Sequence, residues 1–398
     1  MVVNKIRLVT IICVCLLLFD VPAIGQAIKL TPRPITLKNG KTFTLSLPQE
    51  FEIRVAAEGL KRVRFMANSP DGRIFVTDMF NLTDNKRGAV YILDDFDPGE
   101  RRFGKVTPYL TGLRNPNSIA FYKDNAGQNW FYLALTDKLV RYKFRAGETT
   151  PSGVPETLAT FPDYGLSYKY GGWHLTRTIA FGNNAKLYVA VGSSCNACVE
   201  KEDIRATILQ MDPDGANRRI YARGLRNAVG LKLVEDQLIA TNMGSDHLGN
   251  NKPDDTMYRV REGTNYGWPY CYEYRKKIFA DNKFAAGKKR CALVPLAFTG
   301  FSAHSSPLGF AYFGGSTADT NLKNSFLVAL HGATNVKLKR GYKILRVRER
   351  GLPQDFISGF LQGGKIYGRP CDVMKVGPDS FFFTDDYSGV VYYVFRKN

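Results

Sequence analysis

The chain has 398 residues, with 55 Lys and Arg against 36 Asp and Glu, for a formal charge of +19. Hydrophobic residues make up 44% and charged residues 23%, which excludes a disordered chain. With 37 Gly, 26 Phe and 21 Tyr, the composition favours many strands joined by tight turns, in one large all-β domain or in two or three ordinary ones.

Residues 1–25 read as a secretory signal. Lys5 and Arg7 precede an apolar run from Leu8 to Phe19 that is too short to span a bilayer comfortably, and Ala23-Ile24-Gly25 is a small-x-small cleavage site. Cleavage there would leave Gln26 first and remove Lys5, Arg7 and Asp20, lowering the charge to +18. The expected protein is periplasmic or secreted, with no membrane span. No nucleic-acid partner is expected either, because no basic run interleaved with aromatics follows a recognisable module. In an oxidising compartment Cys195 with Cys198, and Cys271 with Cys291, read as structural disulfides, which leaves Cys371 as the odd thiol.

One phrase then recurs along the chain: an apolar alternation, a turn, and a second strand ending at small or acidic residues. It starts at Phe65, Ile119, Ile179, Leu231, Gly309 and Val373, at intervals of 54, 60, 52, 78 and 64 residues. Hairpin repeats of this length are the sign of propeller blades. The expected fold is therefore an all-β six-bladed propeller of four-stranded antiparallel blades, filling residues 26–398 as one domain. In such a ring the loops joining equivalent strands gather at one mouth of the central channel, where a pocket is expected.

The chain has four His, and all border these phrases: His174 before the third, His247 after the fourth, His304 before the fifth and His331 after it. Their spacing does not suit a His-bound zinc. Arg223-Gly224-Leu225-Arg226-Asn227 precedes the fourth phrase, where a forked donor and an amide could receive an anion or a quinone oxygen. Gly244-Ser245-Asp246 and Pro253-Asp254-Asp255 follow it, and carbonyls in Gly turns beside carboxylates are what calcium requires. Arg369 opens the sixth blade.

Five runs in this order resemble the soluble glucose/sorbosone dehydrogenases over roughly residues 50–396: Trp173-His174 with Arg177-Thr178-Ile179-Ala180-Phe181-Gly182, Gly224-Leu225-Arg226-Asn227, Asn265-Tyr266-Gly267-Trp268-Pro269, Leu330-His331-Gly332 with Gly341-Tyr342-Lys343, and Gly368-Arg369-Pro370-Cys371-Asp372-Val373. The resemblance implies a pyrroloquinoline quinone (PQQ) and Ca2+ site. His174 would be the general base toward the sugar hydroxyl, and Arg226 with Asn227 would polarise the quinone carbonyl. His331, Arg369 and Arg177 would complete the cofactor pocket. Gly244 and Ser245 would hold the cofactor's calcium, and Asp254, Asp255 and Tyr266 match a second, structural calcium region. The sequence departs from glucose-oxidising members at Cys371, His331 and Ser245, which favours a sorbosone-like sugar over glucose. The implied partners are a small-molecule sugar and an exported electron acceptor. Two other readings are a calcium-dependent propeller lactonase and a binding propeller without catalysis.

Overall fold

A computed structural model describes residues 27–162 and 174–397; the expected leader, Gln26 and Trp173 lie outside the described residues. The strands form six four-stranded antiparallel sheets in a ring, and the first two strands of each sheet are the recurrent phrase. The innermost strands are Val63–Asn68, Ser118–Lys123, Arg177–Phe181, Ala228–Val234, Pro307–Phe313 and Pro370–Gly377, numbered below as blades 1 to 6. Each touches its neighbours, and the sixth returns to the first. The described residues contain no α-helix, only three 3-10 segments, and no helix long and apolar enough to cross a membrane.

The phrase is conspicuous because these strands are covered on both faces. The second strands Ile74–Asp78, Leu187–Val191 and Ser325–Leu330 are buried at every position, so they read as apolar runs; the outer strand Arg219–Arg223 has both ends exposed. Between blades 5 and 6, Phe313, Leu327, Phe356, Phe381, Phe383 and Tyr392 share one core. Each such side chain contributes about 1.5–3 kcal/mol through burial.

Threonine hydroxyls join neighbouring blades near the axis, donating to a carbonyl at the start of the next inner strand. Thr77 reaches Asn117 O (2.8 Å), Thr136 reaches Leu175 O (2.9 Å), Thr178 reaches Val229 O (2.6 Å), Thr241 reaches Leu308 O (2.8 Å) and Thr384 reaches Arg64 O (2.7 Å). On the axis itself Phe65, Val229, Leu308 and Cys371 pack together with Met243 against them.

Two features go beyond the sequence expectation. The sixth blade is completed by Phe51–Ala57, which pairs antiparallel with Val390–Arg396 and so closes the ring with the start of the chain. Three two-stranded hairpins decorate the ring, among them Cys271–Tyr274 with Lys277–Ala280. The disulfides Cys195–Cys198 and Cys271–Cys291 are both formed, and Cys371 is free and buried, as the sequence suggested.

Candidate functional site

His174 enters blade 3 with φ of 51°, and Arg177 holds its backbone there by donating to His174 O (2.7 Å) and Thr176 O (2.9 Å). The imidazole Nδ1 lies 2.9 Å from Ser193 O and 2.9 Å from Ser193 Oγ, whose own proton goes to Cys195 O (2.7 Å). Both described partners of Nδ1 accept, the Ser193 carbonyl and a hydroxyl whose proton is spent on Cys195, so Nδ1 carries the hydrogen and Nε2 the lone pair. Burial and then the Arg226 charge push the imidazole well below its ordinary value of 6.5, so it is neutral at neutral pH.

Gly192 separates His174 from Asn227. A Cβ there would come within 2.6 Å of both the Asn227 Oδ1 and the His174 Cβ, so only glycine lets the two side chains flank this strand end. Asn227 is fixed through its backbone N–H to Asn242 Oδ1 (3.0 Å), and its Nδ2 lies 3.4 Å from Met243 Sδ. Arg226 is 3% exposed and donates from Nε to Asn196 O (2.8 Å) and from Nη2 to Asn196 Oδ1 (3.0 Å). Asp246 lies 3.6 Å from the same guanidinium.

Asn265-Tyr266-Gly267-Trp268 buttresses this segment from behind. Tyr266 N–H donates to Arg223 O (2.8 Å), Trp268 N–H to Gly224 O (3.2 Å) and the Trp268 indole to Ser245 Oγ (3.1 Å). Gly224, at φ of 73°, has no room for a side chain against Asn265 and Gly267. The Gly244-Ser245 turn is set by Asp255, whose carboxylate accepts from Gly244 N (2.7 Å) and Ser306 N (2.8 Å). Among the described residues no donor is placed against the Gly244 carbonyl, which suits a hard cation, whereas Ser245 caps the 3-10 segment Asp246–Leu248 and its carbonyl accepts the first turn of that segment.

The opposite wall comes from blades 5, 6 and 1. His331 Nε2 sits 2.8 Å from Asp386 Oδ1, and Asp386 also pairs with Arg64 (2.7 Å) and Arg62 (3.3 Å). Burial alone would raise the Asp386 carboxyl, but His331, Arg64 and Arg62 hold it well below the usual carboxylate range. Arg369 takes its backbone position from Asp385, which accepts its N–H (2.7 Å). Its guanidinium donates to Gly332 O (3.0 Å), Ala333 O (3.1 Å) and Tyr342 OH (3.1 Å), and lies 3.3 Å from His331 Nδ1. No carboxylate stands within ion-pair distance of Arg369 among the described residues, so its charge is uncompensated. Such a cation fits an anionic group.

The remaining expected ligands turn to different partners. Asp255 is spent on the two backbone N–H groups above, and burial lifts its carboxyl to about 6. Asp254 accepts from Arg275 N (2.8 Å), and Tyr266 OH donates to Arg259 O (3.0 Å). Asp254 and Tyr266 line a cavity of about 30 Å³ together with Glu273, Asp281 and Ser245. Among the described residues no three carboxylate or imidazole ligand atoms converge, and the Cys195, Cys198 and Glu200 group is committed through its disulfide. Cys371 is fully buried below the mouth, and burial pushes its thiol up, so it is inert packing at the axis.

Sequence reasoning missed Ser193, Asn196, Asp386 and Arg64. The signals were adjacent: Ser193 and Asn196 bracket the first cysteine of the CxxC, Arg64 immediately precedes the first phrase, and Asp386 ends the last.

Residues 164–350 match the glucose/sorbosone dehydrogenase family. An uncharacterized protein of Borreliella burgdorferi is 24% identical over 380 residues, covering 89% of this chain and 92% of that one. Among solved structures, the holo PQQ domain of a pyranose dehydrogenase from Coprinopsis cinerea superposes with a TM-score of 0.73 at 18% identity, covering 91% of this chain and 98% of the other. A calcium structure of a Trichoderma reesei family AA12 enzyme gives 0.71 at 17% identity, covering 94% and 100%. The apo soluble aldose sugar dehydrogenase of Escherichia coli gives 0.60 at 13% identity, covering 87% and 100%. At these identities the superpositions speak for the fold.

Proposed function

We propose that this chain, which belongs to the glucose/sorbosone dehydrogenase family, is an exported dehydrogenase that oxidises an aldose or sorbosone-like sugar with PQQ and Ca2+ as cofactors. The observation that carries the reading is the uncompensated Arg369 guanidinium facing a mouth that also holds a neutral His174 and a fixed Arg226. Support for export comes from the leader-like residues 1–25 and the two disulfides.

When bound, the quinone supplies a two-electron acceptor for hydride from the sugar. The protein's own groups do the rest. His174 Nε2 takes the proton from the sugar hydroxyl, and Nδ1 keeps its hydrogen on Ser193 O, so the ring stays oriented as charge develops on it. Arg226 and Asn227 would face the quinone oxygen and stabilise negative charge there, and both are already fixed by Asn196 and Asn242, so little reorganisation would be required. Arg369 would pair with a cofactor carboxylate, and His331, held by Asp386, would line the same wall. The Gly244 carbonyl would hold calcium. A lactonase would instead need carboxylate and amide ligands meeting on the axis, which is filled by Phe65, Val229, Leu308 and Cys371.

The test is reduction of an artificial electron-accepting dye by the purified protein across an aldose panel, with and without PQQ and calcium. The expected result is turnover with at least one sugar only when both are present, and its loss in His174→Ala with PQQ binding retained. Turnover that persists in His174→Ala would remove His174 as the base.

A further inference from the structure

The segment Ser193–Cys198 projects from the end of the second strand of blade 3 and is closed on itself by the Cys195–Cys198 disulfide. It makes contacts in three directions. Ser193 holds the His174 imidazole, as described, and its backbone N–H donates to Arg226 O (2.8 Å). Asn196 receives Arg226 twice, at its carbonyl and at its Oδ1. The same Oδ1 accepts the backbone N–H of Asp246 (2.9 Å), the residue that follows the Gly244-Ser245 turn. Ala197 O accepts Lys283 Nζ (2.7 Å), and Glu200 ties the base of the loop through Ser194 N (2.7 Å) and Ser194 Oγ (2.6 Å).

We infer that the disulfide-closed loop is a clamp whose positioning residue is Asn196, which fixes the Arg226 guanidinium and couples it to the Gly244-Ser245 turn. Arginine has a long side chain with about 2 kcal/mol of rotamer entropy, so a buried guanidinium reaching a mouth needs a rigid partner to stay in one place. A carbonyl and an amide oxygen on a four-residue covalent ring provide one: side by side they accept the Nε and Nη2 hydrogens along one edge of the guanidinium, and neither carries a charge that would cancel the cation. The disulfide limits the backbone freedom that would otherwise carry Asn196 away from the guanidinium. Asp246, whose side chain is 57% exposed, cannot do this from 3.6 Å. That Arg226 meets an acceptor oxygen rests on the function proposed above; the clamp itself concerns the protein's own atoms.

The experiment follows the rate at which phenylglyoxal modifies Arg226 in the purified chain, read by peptide mass spectrometry. Arg64, buried across the axis and paired with Asp386, serves as the internal reference. Removing the clamp in Cys195→Ser/Cys198→Ser is expected to speed Arg226 modification roughly tenfold with Arg64 unchanged, as local opening requires. If that variant loosens Arg64 as well, Asn196→Ala decides with the disulfide intact: Arg226 is modified faster, and Asn196→Asp, which keeps an acceptor at Oδ1, restores protection. An Arg226 rate in Asn196→Ala equal to that of the unaltered chain overturns the inference. In the dye assay the same Ala variant is expected to lose kcat while keeping KM for the sugar. A chain that oxidises no sugar would sink the proposed function and leave the clamp to be judged on the modification rates alone.

Discussion

A histidine in a cationic mouth is useful as a base only if it stays unprotonated, and the surroundings of His174 enforce this. Burial is the largest cause of its lowered pKa and the Arg226 charge the next, opposed by the Ser193 carbonyl. Both favour the neutral ring, so His174 is expected to titrate below pH 6.5 in an NMR titration of the imidazole. Arg226→Met removes the largest of the three arginine charges that act with burial, Arg177 and Arg205 being the others, and is expected to bring the midpoint back toward 6.5; a midpoint that does not rise in this variant would show that Arg226 does not act on the ring. His174 and Arg226 were legible in the sequence because they sit in short runs beside the blade phrases. Ser193 and Asn196 were not, because their roles exist only once the CxxC ring has closed and blade 3 has met blade 4. No local pattern encodes a hydrogen bond between Asn196 and an arginine thirty residues on.

At the scale of the element, the blade phrase was legible because the inner two strands are buried on both faces, while the solvent-facing outer strands carry weaker patterns. The phrase's acidic ending has a structural use. Asp78 accepts the backbone N–H of Lys61 (2.7 Å) and Arg62 (2.8 Å), and Asp385 that of Arg369, so each terminates a second strand by holding the loop that leads into an inner strand. Asp386, one residue further, instead joins blade 6 to blade 1 through Arg64 and to blade 5 through His331. Asp386→Asn leaves two arginines without their carboxylate and is expected to cost about 3–5 kcal/mol in urea unfolding at pH 7. The sign with pH follows from the depressed carboxyl. Its contribution is fully present above the unfolded value near 3.8 and is lost as pH falls through the still lower folded value. The gap between the two proteins is therefore expected to narrow below about pH 4; a gap that stays constant with pH would contradict the assignment.

For the whole molecule, the repeat predicted a ring but not how it closes. The closing strand Phe51–Ala57 precedes the first phrase and pairs with residues more than 330 positions away, which no periodicity can announce. Closure matters to the site because Arg64 and Asp386 come from the two blades it joins, and through His331 they set the wall that carries Arg369. The excess positive charge, evident from composition, acquires a location here. Arg369 remains uncompensated at the mouth, whereas Arg64 and Arg62 are consumed by Asp386. The proposed function requires that this mouth hold an anionic quinone with calcium. The most direct measurement is titration of the purified chain with PQQ, followed by quinone absorbance, with calcium present and with calcium chelated. The expected result is saturable binding of one PQQ per chain that requires calcium and weakens roughly tenfold or more in Arg369→Ala, the loss expected for one charge-assisted pair. An absorbance that does not change on mixing with calcium present would contradict it.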